Sequence, residues 1–276
     1  MSLSVLSLNL WHDAGPYSER VERIREWVDR LDPDLIGLQE VYRGNGSHQA
    51  VEILGDYGYH FDYVRAGPFR KIEFGNAVAS RWPLRERAEL KLPESGDGET
   101  RAALAVEVDS PFGPLCFTVT HLNWMFEHGA VRERQVVALC DFVLEWHPGD
   151  GFPTIVVGDF NAEPESDEIR YMTGLHSIEG RSLYFNDAWR VACSPDAAAG
   201  GTGAKGITWS NRNPYARTLF EPDRRIDYIF TGMPRRDGIG LVEQCRVVCN
   251  DEKDGVWPSD HFGVYAELRS EPVEAT

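Results

Sequence analysis

Ser4-Val5-Leu6-Ser7-Leu8-Asn9-Leu10 and Asp34-Leu35-Ile36-Gly37-Leu38-Gln39-Glu40, with the periodic stretch between them, decide the architecture of this chain. The first segment alternates with the period of two expected of a strand. Val21, Ile24, Val28 and Leu31 then recur at helical spacing behind Ser18, a candidate N-cap. Asp32-Pro33 breaks the helix, and the second segment reads as a strand buried on both faces until Gln39 and Glu40 end it. Strand, amphipathic helix and strand form a β-α-β unit, whose two strands pair in parallel.

Beyond this unit the texture changes. Short strand candidates at 58–64, 76–79, 101–109 and 115–121 are separated by Gly and Pro turns, which predicts antiparallel neighbours and therefore mixed sheets. A helix over about 130–146 carries Val131, Val136, Leu139, Phe142 and Val143 and stops at His147-Pro148-Gly149. Thr154-Ile155-Val156-Val157 makes a short buried strand, and further strands are expected near 207–209, 225–230, 242–248 and 261–267. Residues 194–206 read as a small-residue loop. With no internal repeat and no linker to split it, the chain is expected to form a single domain over 1–276.

Composition bounds the function. The 276 residues carry 44 Asp plus Glu against 28 Lys plus Arg, a formal charge of −16, and 42% are hydrophobic. That apolar content excludes a disordered acidic polymer, and no run reaches the roughly 18 residues a membrane helix needs, so a soluble globular protein without stable membrane association is expected. The first ten residues lack the features of a secretory signal, which makes the cytoplasm the expected compartment. Cys116, Cys140, Cys193, Cys245 and Cys249 have no metal-ligand spacing and read as buried thiols. The negative charge argues against broad non-specific nucleic-acid binding but leaves room for local basic rims at 65–87 and 209–236.

Several strand candidates end in the same kind of residue. Asn9, Glu40, His121, Asp159, Asn161, Asp227, Asp260 and His261 sit at or just past such ends, where α/β sheets gather ligands. Carboxylates, amides and two histidines without a cysteine form a hard-oxygen environment suited to Mg²⁺ or Mn²⁺. A phosphate ester supplies the complementary partner, because such ions are held jointly by carboxylates and substrate oxygens while imidazoles stabilise charge at phosphorus. Taken singly, each residue has a plainer reading: Glu40 as a loop cap, Gly158-Asp159-Phe160-Asn161 as a tight turn, His121 as a core histidine, Asp227 as the buried partner of Arg225, and Asp260-His261 as a surface pair.

Together the blocks Ser7-Leu8-Asn9-Leu10-Trp11, Leu38-Gln39-Glu40-Val41, Thr120-His121-Leu122, Gly158-Asp159-Phe160-Asn161-Ala162-Glu163-Pro164, Arg225-Ile226-Asp227-Tyr228-Ile229-Phe230 and Ser259-Asp260-His261-Phe262-Gly263 resemble, in order, the signature blocks of the endonuclease/exonuclease/phosphatase superfamily. The resemblance implies a four-layer α/β sandwich, two mixed β-sheets packed face to face with helices outside. It also implies Glu40 as the main ligand of Mg²⁺ or Mn²⁺, with Asn9 and Asp260 near the same ion. Asp159 would orient or deprotonate the attacking water, and Asn161 would hold that water or a phosphate oxygen. His261, its ring fixed by Asp227, and His121 would stabilise the charge developing on phosphorus.

Trp11 and His121 depart from the Asp and Tyr of the base-excision nucleases, and the His form is similar to the deadenylase, sphingomyelinase-like and inositol-phosphatase branches. Arg101 and Arg70 are candidate phosphate contacts, and Trp124 and Trp209, with Trp11, Tyr42, Phe126 and Trp257, are aromatics near the motif loops. The expectation is a metal-dependent phosphodiesterase with single-stranded nucleic acid as the favoured substrate. Phospholipid or small-molecule esters, and a non-catalytic binding protein on the same fold, are the alternatives.

Overall fold

Leu3 and Val5 of the first strand face one apolar cluster while Leu6, Leu8 and Leu10 face another, so the alternation read from the sequence packs both sides of the strand. The computed structural model describes residues 2–44, 47–69, 72–146, 151–192 and 205–273. In chain order its principal elements are β1 (Ser2–Asn9), α1 (Tyr17–Leu31), β2 (Leu35–Gly44), β3 (Ser47–His48), α2 (Gln49–Leu54), β4 (His60–Phe69), β5 (Ile72–Ser80), β6 (Leu84–Lys91), β7 (Ala102–Ser110), β8 (Gly113–His121), α3 (Gly129–Glu145), β9 (Phe152–Asp159), α4 (Asp167–Met172), β10 (Asn186–Asp187), β11 (Asp227–Thr231), β12 (Val242–Val248) and β13 (Gly263–Arg269). Among the described residues, one seven-stranded sheet runs β12-β13-β1-β2-β5-β4 with β3 on β2, and a six-stranded sheet runs β10-β11-β9-β8-β7-β6.

Both sheets are mixed. β1 pairs in parallel with β2, as the β-α-β reading requires, and β8 with β9; the remaining pairs are antiparallel. Leu35, Val64 and Val78 of the first sheet pack against Leu104, Phe117, Val119, Ile155 and Ile229 of the second, forming the central layer of apolar contact. Val21, Ile24 and Val28 of α1 cover the outer face of the first sheet, and Val136, Leu139 and Val143 of α3 cover that of the second. This is the expected four-layer α/β sandwich. Gly37 marks how closely the sheets approach, since a Cβ there would lie 2.2 Å from Val157 Cγ2.

Local differences from the sequence reading have identifiable causes. The first helix starts behind Pro16 with no side-chain cap, so Ser18 lies inside it. Asp32 ends it in the left-handed region at φ 44°. β6, Leu-Arg-Glu-Arg-Ala-Glu-Leu-Lys, has no apolar alternation because it is an edge strand with most side chains in solvent. The segment 207–209 contributes only isolated bridges at Trp209. Cys116, Cys140 and Cys249 are buried thiols and Cys245 is half-buried, while Cys193 and most of the 194–206 loop lie outside the described residues. Among the described residues no helix is long and apolar enough to cross a membrane.

Candidate active site

The site lies where the inward-facing residues of both sheets change from apolar to polar at the same end of the sandwich. Leu115, Phe117 and Val119 of β8 precede His121, Ile155 and Val157 of β9 precede Asp159, and Ile229 of the antiparallel β11 follows Asp227. The period of two carries each polar side chain onto the inner face. Register then aligns them, with His121 and Asp227 both paired across from Asp159. Gly158 permits this register: a Cβ there would lie 2.1 Å from the Thr120 carbonyl oxygen.

Glu40 breaks the alternation. The ladder between β2 and β5 is irregular between Leu38 and Val41, and Glu40 sits at φ 56°, a left-handed conformation uncommon for a non-glycine residue. The extra residue returns Val41 to the helix-side core and leaves Glu40 lining the cleft. Trp11, His12 and Asn161 have positive φ as well, so several residues in uncommon backbone conformations border this cleft. The Trp11 loop is held by the fully buried Arg20, which donates to the carbonyls of Leu10, Trp11, His12 and Ala14. Trp11 also stacks on Tyr215 at 4.8 Å.

A dense hydrogen-bond network joins the polar residues. Asn9 Nδ2 donates to Asp159 Oδ2 at 3.1 Å, and the Asn161 amide donates to Asp159 Oδ1 at 2.9 Å. Asn161 Nδ2 meets His121 Nε2 at 3.1 Å and donates to the Leu122 carbonyl. The His261 ring is gripped at both nitrogens: Nδ1 lies 3.0 Å from Asp227 Oδ2, and Nε2 lies 3.6 Å from Asp159 Oδ2. Ser259 Oγ donates to the Asn9 carbonyl at 2.7 Å, tying the Ser-Asp-His block to β1. Trp209 presents its ring to His261 at 4.8 Å with the planes tilted by 64°.

These contacts separate the charge states. Burial, together with the charge of Asp227, raises the Asp159 carboxyl to about 7. Burial and the facing Glu40 raise Asp260 to about 6, and burial raises Glu40 as well. Burial alone would lower His261, but Asp227, Asp159 and Asp260 outweigh it and lift the imidazole to about 10. His121 moves the other way, well below the usual range, through burial and the cations Arg101 and His261. The two histidines therefore differ, His261 cationic and His121 neutral, where the sequence alone treated them as equivalent.

Glu40, Arg101, His121, Trp124, Asp159, Asn161, Trp209, Asp260 and His261 line one cleft of about 420 Å³, and Asn9 and Asp227 hydrogen-bond to its members. Arg70 lies outside the described residues. Asp227 does not pair with Arg225, which bonds instead to Asp187 at 2.7 Å. The rim expected at 65–87 is neutralised at the four arginines that pair with carboxylates: Arg65 with Glu73, Arg81 with Asp32, Arg85 with Asp109, and Arg87 with Asp62 and Glu89. Trp257 stacks on Phe262 and serves packing. Arg20, Phe74 and Arg224 carry no motif in the sequence; Arg20 is recognisable only as a charge on the buried stripe of an amphipathic helix.

For a cation, Asp159, Asp227 and His261 offer ligand atoms within 4.8 Å of one another, and Glu40 and Asp260 face each other across the same cleft. Buried carboxylates such as Glu40, Asp159 and Asp260, held above their usual range by burial, are a donor set whose charge Mg²⁺ or Mn²⁺ relieves.

Known proteins share this fold. Residues 6–261 match the Endonuclease/Exonuclease/phosphatase family. Nocturnin from Homo sapiens is 24% identical over 271 residues, covering 93% of this chain and 59% of that protein, and Nocturnin from Xenopus laevis is 24% identical with 93% and 66% covered. The chain thus spans about three-fifths of the length of these relatives. The human Nocturnin catalytic domain with bound sulfate superposes with a TM-score of 0.72 at 21% identity, covering 97% of this chain and 94% of that one. Danio rerio TDP2 complexed with a single-strand DNA product gives 0.74 at 19% identity, with 97% and 99% covered. The chain belongs to the endonuclease/exonuclease/phosphatase family.

Proposed function

We propose that this protein is a divalent-metal-dependent phosphodiesterase, acting on nucleic-acid phosphodiesters by water attack at phosphorus. The observation that carries the reading is the convergence in one cleft of a buried carboxylate near neutrality, a cationic histidine fixed by a second carboxylate, and a pair of facing acidic side chains. Glu40 and Asp260 would hold Mg²⁺ or Mn²⁺, because His261, protonated and bonded to Asp227, has no lone pair to offer. A cation there supplies Lewis-acid charge to the phosphate oxygens.

The chain's own groups account for the rest. Asp159, with a carboxyl at about 7, takes the proton of the attacking water near neutral pH. The water oxygen bonds to phosphorus as the bond to the leaving ester oxygen breaks. Asn161, its backbone fixed on Asp159 and its side chain on His121, positions the water or a phosphate oxygen. Imidazolium at His261 answers the added negative charge, and the Asp227 bond keeps the ring turned toward it. Neutral His121 contributes a hydrogen bond without a charge. Arg101, whose Nε and Nη2 are fixed on Glu99 at 2.9 and 2.6 Å while Nη1 has no partner, is a fixed cation of the cleft for the scissile phosphate.

Asn9 donates to Asp159, accepts from the Trp11 amide and hydrogen-bonds Glu40, so it links one metal-side carboxylate to the base. The nucleic-acid preference is supported by the Trp124 face at the cleft and by relatives that include a TDP2 bound to a single-strand DNA product. Hydrolysis of bis(p-nitrophenyl) phosphate in Mg²⁺ or Mn²⁺ tests the reading. Asp159→Asn should lower kcat by a factor on the order of 10³, the usual worth of a positioned base, while circular dichroism is unchanged. Wild-type turnover in that variant would overturn the assignment.

A further inference from the structure

One cationic side chain of the cleft is left without a task by this reaction. Arg224 lies just before the Arg225-Ile226-Asp227 block, is 6% exposed and lines the same cleft as the motif residues. Its backbone pairs in both directions with Trp209, N to O at 2.9 and 3.0 Å, and Trp209 in turn bridges to His261. Two ladder steps of about 4.8 Å place the Arg224 backbone within about 10 Å of that of His261. Arg101 also borders the centre, close enough to lower His121 and Glu40. Two arginines of the cleft therefore reach the neighbourhood of the reacting centre.

Arg224 is also built like Arg101. Each guanidinium is anchored by one glutamate, Glu221 for Arg224 and Glu99 for Arg101, and each has one buried nitrogen without a hydrogen-bond partner, Nε in Arg224 and Nη1 in Arg101. The Phe126 ring lies 4.4 Å beneath the Arg224 guanidinium and holds its plane. A pre-oriented, partly desolvated guanidinium with unspent donors suits an anionic oxygen far better than a solvated lysine does.

We propose that Arg224 forms a second phosphate subsite, so that the substrate carries a phosphate next to the one that is cleaved. The inference rests on the phosphodiesterase reading and deepens it. It selects chains with consecutive phosphates over diesters with a single one, and it gives the 209–236 basic segment one working member. A cleft of about 420 Å³ leaves room for the two phosphates of a short nucleotide segment.

The test compares thymidine dinucleotides that carry the internal phosphate alone, or with an added terminal phosphate at the 5′ or the 3′ end. Wild-type KM should be lower for one of the two-phosphate forms. Arg224→Gln should raise that KM about tenfold, the usual loss for a charge-assisted hydrogen bond, and leave kcat and KM for the one-phosphate dinucleotide and for bis(p-nitrophenyl) phosphate within about twofold. Arg224→Lys, which retains charge but not the fork, should fall between. An equal change for one- and two-phosphate substrates, or a wild-type enzyme that does not distinguish them, would overturn the subsite. Turnover of none of these compounds by the wild type would instead overturn the phosphodiesterase reading beneath it.

Discussion

Replacing Asp227 by Asn separates what this carboxylate does for the reaction from what it does for the fold. Its Oδ2 accepts from His261 at 3.0 Å, whereas its Oδ1 is buried with no partner, so the charge is only half compensated. An uncompensated buried carboxylate oxygen is unfavourable, and an isosteric amide removes that penalty while sacrificing one charge-assisted bond. The two terms, each about 1–3 kcal/mol, oppose each other, so stability should change by less than about 1 kcal/mol. Activity has no such compensation. Without the carboxylate His261 loses the largest favourable charge holding its proton, and the amide presents a donor as readily as an acceptor to Nδ1. Losing a charge-assisted bond of about 1.5–3 kcal/mol at the transition state lowers kcat about 10- to 150-fold. Thermal unfolding and kcat on bis(p-nitrophenyl) phosphate, measured side by side, check both halves. A kcat within threefold of wild type, or a fall in Tm of more than about 5 °C, would refute the reasoning.

Three further outcomes follow from the same structure. Gly37→Ala drives a methyl group toward Val157 and should cost about 1–3 kcal/mol, lowering Tm by several degrees in differential scanning calorimetry. Glu40→Gln removes one of the two facing carboxylates and should weaken Mn²⁺ binding in isothermal titration calorimetry by about tenfold or more, with the fold intact by circular dichroism. Arg225→Ala strands Asp187 in the interior and should destabilise by about 3–5 kcal/mol in urea unfolding, yet the KM of the folded fraction should hold, since the pair does not line the cleft.

The β-α-β opening was legible because its side chains obey two simple periods, 2 and then 3.6. The site was legible for a related reason: inward-facing positions of a sandwich are apolar unless chemistry requires otherwise, so His121, Asp159 and Asp227 stand out at strand ends. What escaped depends on long-range pairing. Arg225, two residues before Asp227, looks like its partner in one dimension, but it precedes β11 and is met by Asp187 from β10. Nothing local marks Glu40 as the residue of an irregular ladder, because the irregularity exists only against β5. The arginines of 65–87 suggest an anion rim by composition, and at Arg65, Arg81, Arg85 and Arg87 the fold gives them carboxylate partners from other strands and turns. Arg224 also has a carboxylate partner, Glu221, and among the six arginines of its segment it is set apart by its place on the cleft.

Phosphorus NMR of the purified protein with MgCl₂ and a mixture of single-stranded oligonucleotide, short-chain sphingomyelin and an inositol phosphate, followed by EDTA, tests the central claim most directly. The predicted result is loss of the oligonucleotide diester signal with growth of a monoester signal, halted by the chelator. Loss of the sphingomyelin or inositol phosphate signal alone, loss that continues in EDTA, or no change with either Mg²⁺ or Mn²⁺ would contradict it.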